Sequence, residues 1–413
     1  MANAGGGKGG MAGIVALTVG YFLSQFYRSF LAVLTPALTQ DLGATKADLS
    51  IASGAWFVVF ALMQFVVGVS LDRYGPRKTA SFLLVFGGAG GAVLFAAASN
   101  AWMVVLAMAL NGIGCSAVLM AAVFIFAKSF SPARLAILIS WLIAFGTMGN
   151  VISSAPMAAA AEAFGWRAVM AGLAVFTLLV GAAIYTLVRD PESDPEESGA
   201  NSGFSGYIEL LKLRVLWPIL PLVIFNYAPS ASIRGLWAGP FLADVYDADA
   251  LLIGEVTLFM AIAMSVGSFL YGPLDMFFKT RKWVAFCGNM IALAALGLLA
   301  LFPLAGIPAV TALLVVVGLC GASYGLMMSH GRAFVPSHLT GRGVTLLNFF
   351  STGGVGVMQF ATGGVVAATA VPGDPLASYR PLFLFYFVLL GLALAIYLFC
   401  RDAPPEVQAR HRD

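Results

Sequence analysis

Charge is what this sequence has least of: Asp, Glu, Lys and Arg make up 10% of its 413 residues, against 60% hydrophobic residues. Soluble domains carry roughly a quarter charged residues, so the deficit excludes an ordinary globular fold. The mean hydropathy of +0.93 agrees. Cysteine is sparse as well. Cys115, Cys287, Cys320 and Cys400 stand in or beside apolar runs with no CxxC pair. They read as small buried hydrophobes, neither disulfides nor metal ligands. No phosphate-binding GxxxxGK[ST] motif occurs, so ATP hydrolysis is not the energy source. Gly5-x-Gly7-x-x-Gly10 fits a dinucleotide fingerprint, but no strand precedes it and the match is chance. The glycine-rich start does not resemble a cleaved signal ahead of a soluble domain. A net charge of +3 calls for no nucleic-acid partner, and no cofactor or catalytic group is indicated.

Long apolar runs take the place of those features. A helix crosses a bilayer in about 20 apolar residues. Runs near 12–38, 49–71, 79–99, 102–127, 135–157, 168–188, 215–242, 251–274, 283–304, 309–333, 344–369 and 379–400 predict twelve such helices. They are too long, and lack the two-residue alternation, for barrel strands. The basic residues orient the set. Of 22 Lys and Arg residues, Lys46, Arg167 and Arg380 fall on one side, Arg28 and Arg234 lie inside spans, and the remaining 17 fall on the other side. Positive residues stay cytoplasmic. Both termini are therefore expected inside, in a multi-pass protein of the bacterial inner membrane.

The one long loop, 189–214, opens acidic and rich in Pro, Ser and Gly. Phe204, Tyr207, Ile208 and Leu211 then recur at helical spacing, predicting a short helix on the membrane surface. The loop divides the chain into an N-terminal six-helix bundle (1–188), a cytoplasmic linker (189–214) and a C-terminal bundle (215–413). The halves read as repeats. Tyr21, Ser24 and Arg28 recur as Tyr227, Ser230 and Arg234 at an offset of 206; Leu71-Asp72 recurs as Leu274-Asp275, and Arg134 as Arg342, at offsets of 203 and 208. Paired halves with a midplane site are a common transporter plan.

The segment Gly68-Val-Ser-Leu-Asp72-Arg73-Tyr-Gly75-Pro-Arg77-Lys78 resembles the hallmark loop of the major facilitator superfamily. Phe164-Gly165-Trp166-Arg167 is similar too. The resemblance implies an all-α membrane protein of twelve helices in two pseudo-symmetric bundles, a secondary transporter working by alternating access. In the loop itself, Gly68 would allow close helix contact and Gly75 a tight turn. Asp72 could accept bonds from a helix start or basic neighbours, latching that face. Arg73, Arg77 and Lys78 could share in the latch or merely fix topology. With only Leu274-Asp275, Lys279, Arg281 and Lys282, the second half should latch more weakly. Met108 stands where many proton-driven drug exporters carry arginine, and Gly146-x-x-Gly149-Asn150 with Pro156 departs from the exporters' fuller pattern.

An arginine at the bilayer centre costs roughly 2.5–3.5 kcal/mol on insertion scales, and Arg28 and Arg234 both fall mid-span. No clear mid-span carboxylate accompanies them: Asp41, Asp48, Glu162, Asp244 and Glu255 lie near run ends or in loops. The economical reading makes the substrate their anion; the plainer one bonds them to carbonyls or a loop aspartate. Tyr21, Ser24, Gln25 and Arg28 share a helical face, as do Tyr227, Ser230 and Arg234, offering guanidinium, hydroxyl and phenol to oxyanions. Arg28 precedes Pro36 by eight residues, similar to first helices of organophosphate antiporters and anion symporters of the superfamily. Gln64, Asn150, Asn226, Tyr324, Asn348 and Gln359 could line the cavity or bond between helices. His330 is the leading protonation candidate, or an interfacial histidine. Trp56, Trp141 and Trp237 could pack on substrate or in the core.

These readings predict a transporter of a small, carboxylate-type organic anion, coupled to protons, sodium or a counter-anion. Its binding residues would be Arg28, Arg234, Tyr21, Ser24, Gln25, Tyr227, Ser230, Tyr324 and His330. The alternatives are a proton-coupled exporter of hydrophobic compounds, or a copper importer using Met260-x-x-x-Met264, whose thioethers suit Cu(I).

Overall fold

The computed structural model describes residues 8–129, 132–190, 205–336 and 339–404. The N-terminal glycine-rich segment, the acidic stretch 191–204 with Phe204, Arg410 and Arg412 lie outside the described residues, as do the side chains of Asp72 and Arg134. The chain divides into two compact units, 1–202 and 203–413.

The first unit runs α1 (Lys8–Tyr27), α2 (Leu31–Leu42), α3 (Lys46–Tyr74), α4 (Pro76–Leu83), a π-helical turn (Leu84–Ala89), α5 (Gly90–Ala96), α6 (Ala101–Cys115), α7 (Val118–Ser129), α8 (Pro132–Ile152), α9 (Ala155–Phe164) and α10 (Trp166–Leu187). The second runs α11 (Ser205–Leu211), α12 (Leu220–Phe225), α13 (Ala228–Ser232), a π-helical turn (Ile233–Trp237), α14 (Ala238–Tyr246), α15 (Ala250–Phe278), α16 (Arg281–Leu301), α17 (Ile307–Gly321), α18 (Tyr324–Arg332), α19 (Thr340–Thr369) and α20 (Leu376–Tyr397). Local chemistry sets many starts. Thr45 and Asp48 form a capping box at α3, and Asn100, Asp249 and Thr280 cap α6, α15 and α16 through their side chains.

Among the described residues, nine helices or paired helices are long and apolar enough to cross a membrane. A tenth span follows if Trp141–Ile152 and Ala155–Phe164, bent 45° apart, count as one; Met11–Tyr27 is a shorter apolar helix. Large side chains such as Phe82, Phe86, Leu179, Phe277 and Leu392 are more than half exposed. Helices that are apolar inside and out belong in lipid.

Several runs that read as continuous are interrupted. The first breaks at Arg28–Phe30, between α1 and α2; the seventh is α12, α13, a π turn centred on Gly235, and α14. The fourth and tenth runs break at Ser116–Ala117 and Ala322–Ser323, again 206 residues apart. The repeat seen in residue identities therefore extends to where the helices fail. Two boundaries lie further on than the sequence suggests. Leu71-Asp72 and Leu274-Asp275 sit inside α3 and α15, since Gly75 is the first breaker of α3 and Pro273 is tolerated within α15. The short helix α11 is not simply a surface helix. Leu210 is buried against Leu339 and Leu346 with Tyr207 beside it, and the Tyr207 hydroxyl meets that of Thr345 at 3.0 Å. Ile208 and Leu211 remain exposed.

The first unit closes most tightly where the π turn meets α6. A Cβ on Gly114 would overlap the backbone of Gly88, and one on Gly87 would overlap Gly114. Backbone cannot swing aside as a side chain can, so Gly114→Ala forces the helices apart. We expect it to lower the melting temperature in detergent by about 2–10 °C, the scale of an overpacking cost of about 1–3 kcal/mol in a unit of this size. An unchanged melting curve would show that the two segments do not meet this closely.

Candidate functional site

In the first unit, Tyr21, Ser24 and Gln25 lie on the last two turns of α1, and Arg28 opens the turn that ends it. Ser24 donates to the carbonyl of Cys115, the last residue of α6, at 3.5 Å. The Gln25 amide donates to the Tyr21 hydroxyl and accepts from Asn150 of α8 at 3.4 Å; Ser29 donates to Asn150 at 2.7 Å. Asn150 is thus an interhelical bonding residue. Gly146 and Gly149 make the approach possible, since side chains there would strike the Tyr21 ring and the Phe22 carbonyl. Ser24, Gln25 and Ser29 are buried, whereas Tyr21 and Arg28 are half-buried.

The second unit repeats the theme with different partners. Arg234 is 3% exposed and lies within the π turn, where the widened helix displaces it from α-helical phase. Ser230 is fully buried, bonded to the Tyr227 carbonyl at 3.0 Å and pressed against Gly321. The Tyr227 and Tyr324 rings stand 6.0 Å apart, and the Tyr324 hydroxyl donates to Asn348 at 2.7 Å. Asn226 and Asn289 both donate to Ser323 in the break between α17 and α18, at 3.2 and 3.1 Å. Trp237 donates to Thr362 at 2.9 Å, an ordinary packing role, while Trp141 is 64% exposed. His330 stands apart from this group. Its two ring nitrogens are taken by the Tyr397 hydroxyl at 2.6 Å and the Arg401 carbonyl at 2.9 Å. Met260 and Met264 pack against Gly318 of α17.

The hallmark loop has a partner that its own residues do not announce. Gly75 takes φ +82°, and a Cβ there would press on the Asp190 carboxylate at 2.8–3.0 Å. Asp190 follows the end of α10. It accepts the Arg77 backbone N–H at 2.8 Å and faces the Arg77 side chain at 3.6 Å, so it caps the start of α4 from 113 residues away. Around Gly68, by contrast, nothing among the described residues lies within 4 Å of where a methyl group would stand.

The second unit carries the same device, while the latch expected of Asp72 falls on a side chain outside the described residues. Asp402, just beyond α20, accepts from the Thr280 hydroxyl and from the backbone N–H groups of Arg281 and Lys282 at 3.2 and 3.0 Å. Arg281 pairs with Asp275 at 3.2 Å with both side chains nearly buried, and Lys282 donates to the Leu398 and Cys400 carbonyls. The signal was present: Arg189-Asp190-Pro191 and Arg401-Asp402-Ala403-Pro404 each follow the last helix of a unit. What concealed it is that such capping is a tertiary contact. At the opposite ends of the first unit's helices, Trp166 and Arg167 both donate to Asp41, at 2.8 and 3.1 Å, tying α10 to α2.

Burial works against the Asp402 charge, yet the bonds from Thr280, Lys282 and Ala403 hold its carboxyl below the usual carboxylate range. Its stabilisation is therefore fully present above an unfolded-chain pKa of about 3.9 and lost as pH falls through the lower folded value. The melting-temperature gap between wild type and Asp402→Asn should be constant from pH 7 to 5 and shrink below about pH 4. A gap that stays constant under acid would show that the carboxylate is not the cap.

Two units of membrane-length helices, with repeated interruptions and capped loop ends, define a polytopic membrane protein. Residues 17–234 match the sequence model of the Major Facilitator Superfamily, and the chain belongs to that family. A probable hexose phosphate transport protein of Chlamydia trachomatis is 29% identical over 97 residues, 24% of this chain and 21% of the relative's length. Similar solved structures include a bacterial homologue of the human lysosomal transporter Spinster, inward-facing and occupied (18% identity, TM-score 0.74, covering 94% of this chain and 96% of that one). A D-xylose–proton symporter is similar at 14% identity and TM-score 0.74, covering 94% and 97%. A mutant of the nucleoside transporter NupG shows 13% identity and TM-score 0.74, covering 94% and 99%. At these identities the structures speak for the fold alone. The chain is a multi-pass membrane transporter.

Proposed function

We propose that this secondary transporter carries a small organic oxyanion, with Arg28 of the first unit and Arg234 of the second as its cationic ligands. The observation that carries this reading is that both arginines fall where their helices are interrupted, at equivalent places in the repeat. Interrupted membrane helices supply transporter sites because backbone and side-chain polar groups there can turn to a ligand. Tyr21, Ser24 and Gln25 on one side, and Tyr227, Ser230 and Tyr324 on the other, would complete the polar lining. The two hydrogen bonds that occupy His330 favour a structural role for it. The 97-residue match to a protein named for hexose phosphate transport supports an oxyanion, and widens the class from carboxylates to phosphate esters.

Twelve spans in bundles 1–188 and 215–413, joined by a cytoplasmic linker 189–214, cycle by alternating access in the bacterial inner membrane with both termini inside. The basic-residue asymmetry supports that orientation. Two guanidinium ligands suit exchange, because an emptied, doubly positive site resists closing. The test is counterflow in proteoliposomes loaded with hexose 6-phosphate, inorganic phosphate or succinate. Acceleration by one of these trans anions is the expected result. Uptake driven by a proton or sodium gradient without trans acceleration would replace exchange with symport. Indifference to all anions, with export of lipophilic cations, would overturn the oxyanion assignment.

A further inference from the structure

The outer surface of the first unit carries a groove along the seam of α4, the π turn and α10. It consists of two hollows of about 440 and 800 Å³ that share Val85. Its walls are apolar, formed by residues such as Phe82, Phe86, Ala182 and Leu178, and its floor is deepened where Gly181 lets Val85 lie against α10. One mouth is marked by Tyr185 and Lys78. There the neighbouring Arg77 is already committed, facing Asp190 and standing over the Tyr185 ring at 5.2 Å. Lys78 is exposed, and no ion pair or hydrogen bond reaches its ammonium among the described residues.

The second unit shows what this lysine could have done. Lys282 occupies the matching place, second residue of α16 as Lys78 is third of α4, and its ammonium donates to two carbonyls at the end of α20, at 2.7 and 2.9 Å. Lys78 makes no such bond to the end of α10. A strongly hydrated point charge left over an apolar groove, beside an interfacial tyrosine, is chemistry for a lipid. Basic pockets between membrane helices bind anionic headgroups.

We propose that this groove is a specific site for an anionic phospholipid, its phosphate on Lys78 and an acyl chain laid along Val85 and Ala182. The site is independent of the transported anion. The charge complementarity selects an anionic lipid, because one amphiphile supplies both the phosphate for the Lys78 ammonium and the apolar chain for the walls below it.

The experiment is native mass spectrometry of the full-length protein supplied with equal phosphatidylglycerol and phosphatidylcholine. Wild type should retain phosphatidylglycerol at least fivefold over phosphatidylcholine. Lys78→Gln should bring that ratio near one. Ala182→Phe, filling the groove at a lipid-facing position, should lower retention of both lipids, while Leu392→Phe on the outer face of α20 should not. Equal melting temperatures of the variants in detergent would confirm that they are folded. An unchanged ratio in Lys78→Gln, or unchanged retention in Ala182→Phe, would overturn the proposal. So would competition by millimolar inorganic phosphate, which marks a free-anion site, or a dimer abolished by Ala182→Phe, which marks a protein interface.

Discussion

Replacing Arg234 with glutamine is expected to weaken anion binding by about two to three orders of magnitude, the cost of truncating one partner of a buried, hydrogen-bonded charge pair. Arg234 is 3% exposed and held in a π turn, so solvent screens little of its charge. Glutamine keeps much of the volume and some donors but removes the charge. Lysine restores the charge without the planar fork, and should recover only part of the affinity. Two readouts separate cargo binding from a structural role. Thermal shift with hexose 6-phosphate or succinate should show stabilisation in wild type that is lost in Arg234→Gln. The melting temperature without anion should change less than the temperature measured with it, because the desolvation cost that glutamine avoids offsets part of the contacts it loses. If glutamine instead lowers the anion-free melting temperature by several degrees and leaves the ligand response intact, Arg234 is a structural arginine. Arg28→Gln should act in the same direction with a smaller effect, since Arg28 is only half-buried.

The fold class was legible because a bilayer imposes a simple rule on composition: long apolar runs with charges at their ends. The repeat was legible because Tyr21, Ser24 and Arg28 and their counterparts kept identity and spacing together. The interruptions were not. Hydropathy is the same for a straight span and a broken one, and neither Arg28 nor Arg234 has a proline beside it to announce a break. Positions of bonding partners were hidden for a second reason. Gln25 with Asn150, His330 with Tyr397 and Asp190 with Arg77 are 125, 67 and 113 residues apart. Such pairs depend on which helices pack together, as α1 with α8 does, and no local pattern encodes that. His330 illustrates the result: its residue type suggested proton transfer, while its surroundings use both nitrogens to hold the end of α20.

The same dependence on burial predicts unequal costs for two aspartates that each face an arginine. Asp190 and Arg77 are about a third exposed and 3.6 Å apart, whereas Asp275 and Arg281 are nearly buried at 3.2 Å. An exposed pair contributes about 0–1 kcal/mol because water and salt screen it. Breaking a buried pair strands a charge and costs about 3–5 kcal/mol. Asp275→Asn should therefore be among the most destabilising single changes in the second unit, lowering the detergent melting temperature by more than about 5 °C. Asp190→Asn should lower it by less than half as much, because its loss removes mainly a cap at α4. A double change, Asp275→Asn with Arg281→Met, removes the stranded guanidinium and should recover most of the lost stability. Failure of that recovery would mean that Arg281 is held by its bond to the Ser329 carbonyl, 3.4 Å away, more than by Asp275. If instead the two aspartates prove equally costly, burial is not what sets the strength of these two pairs.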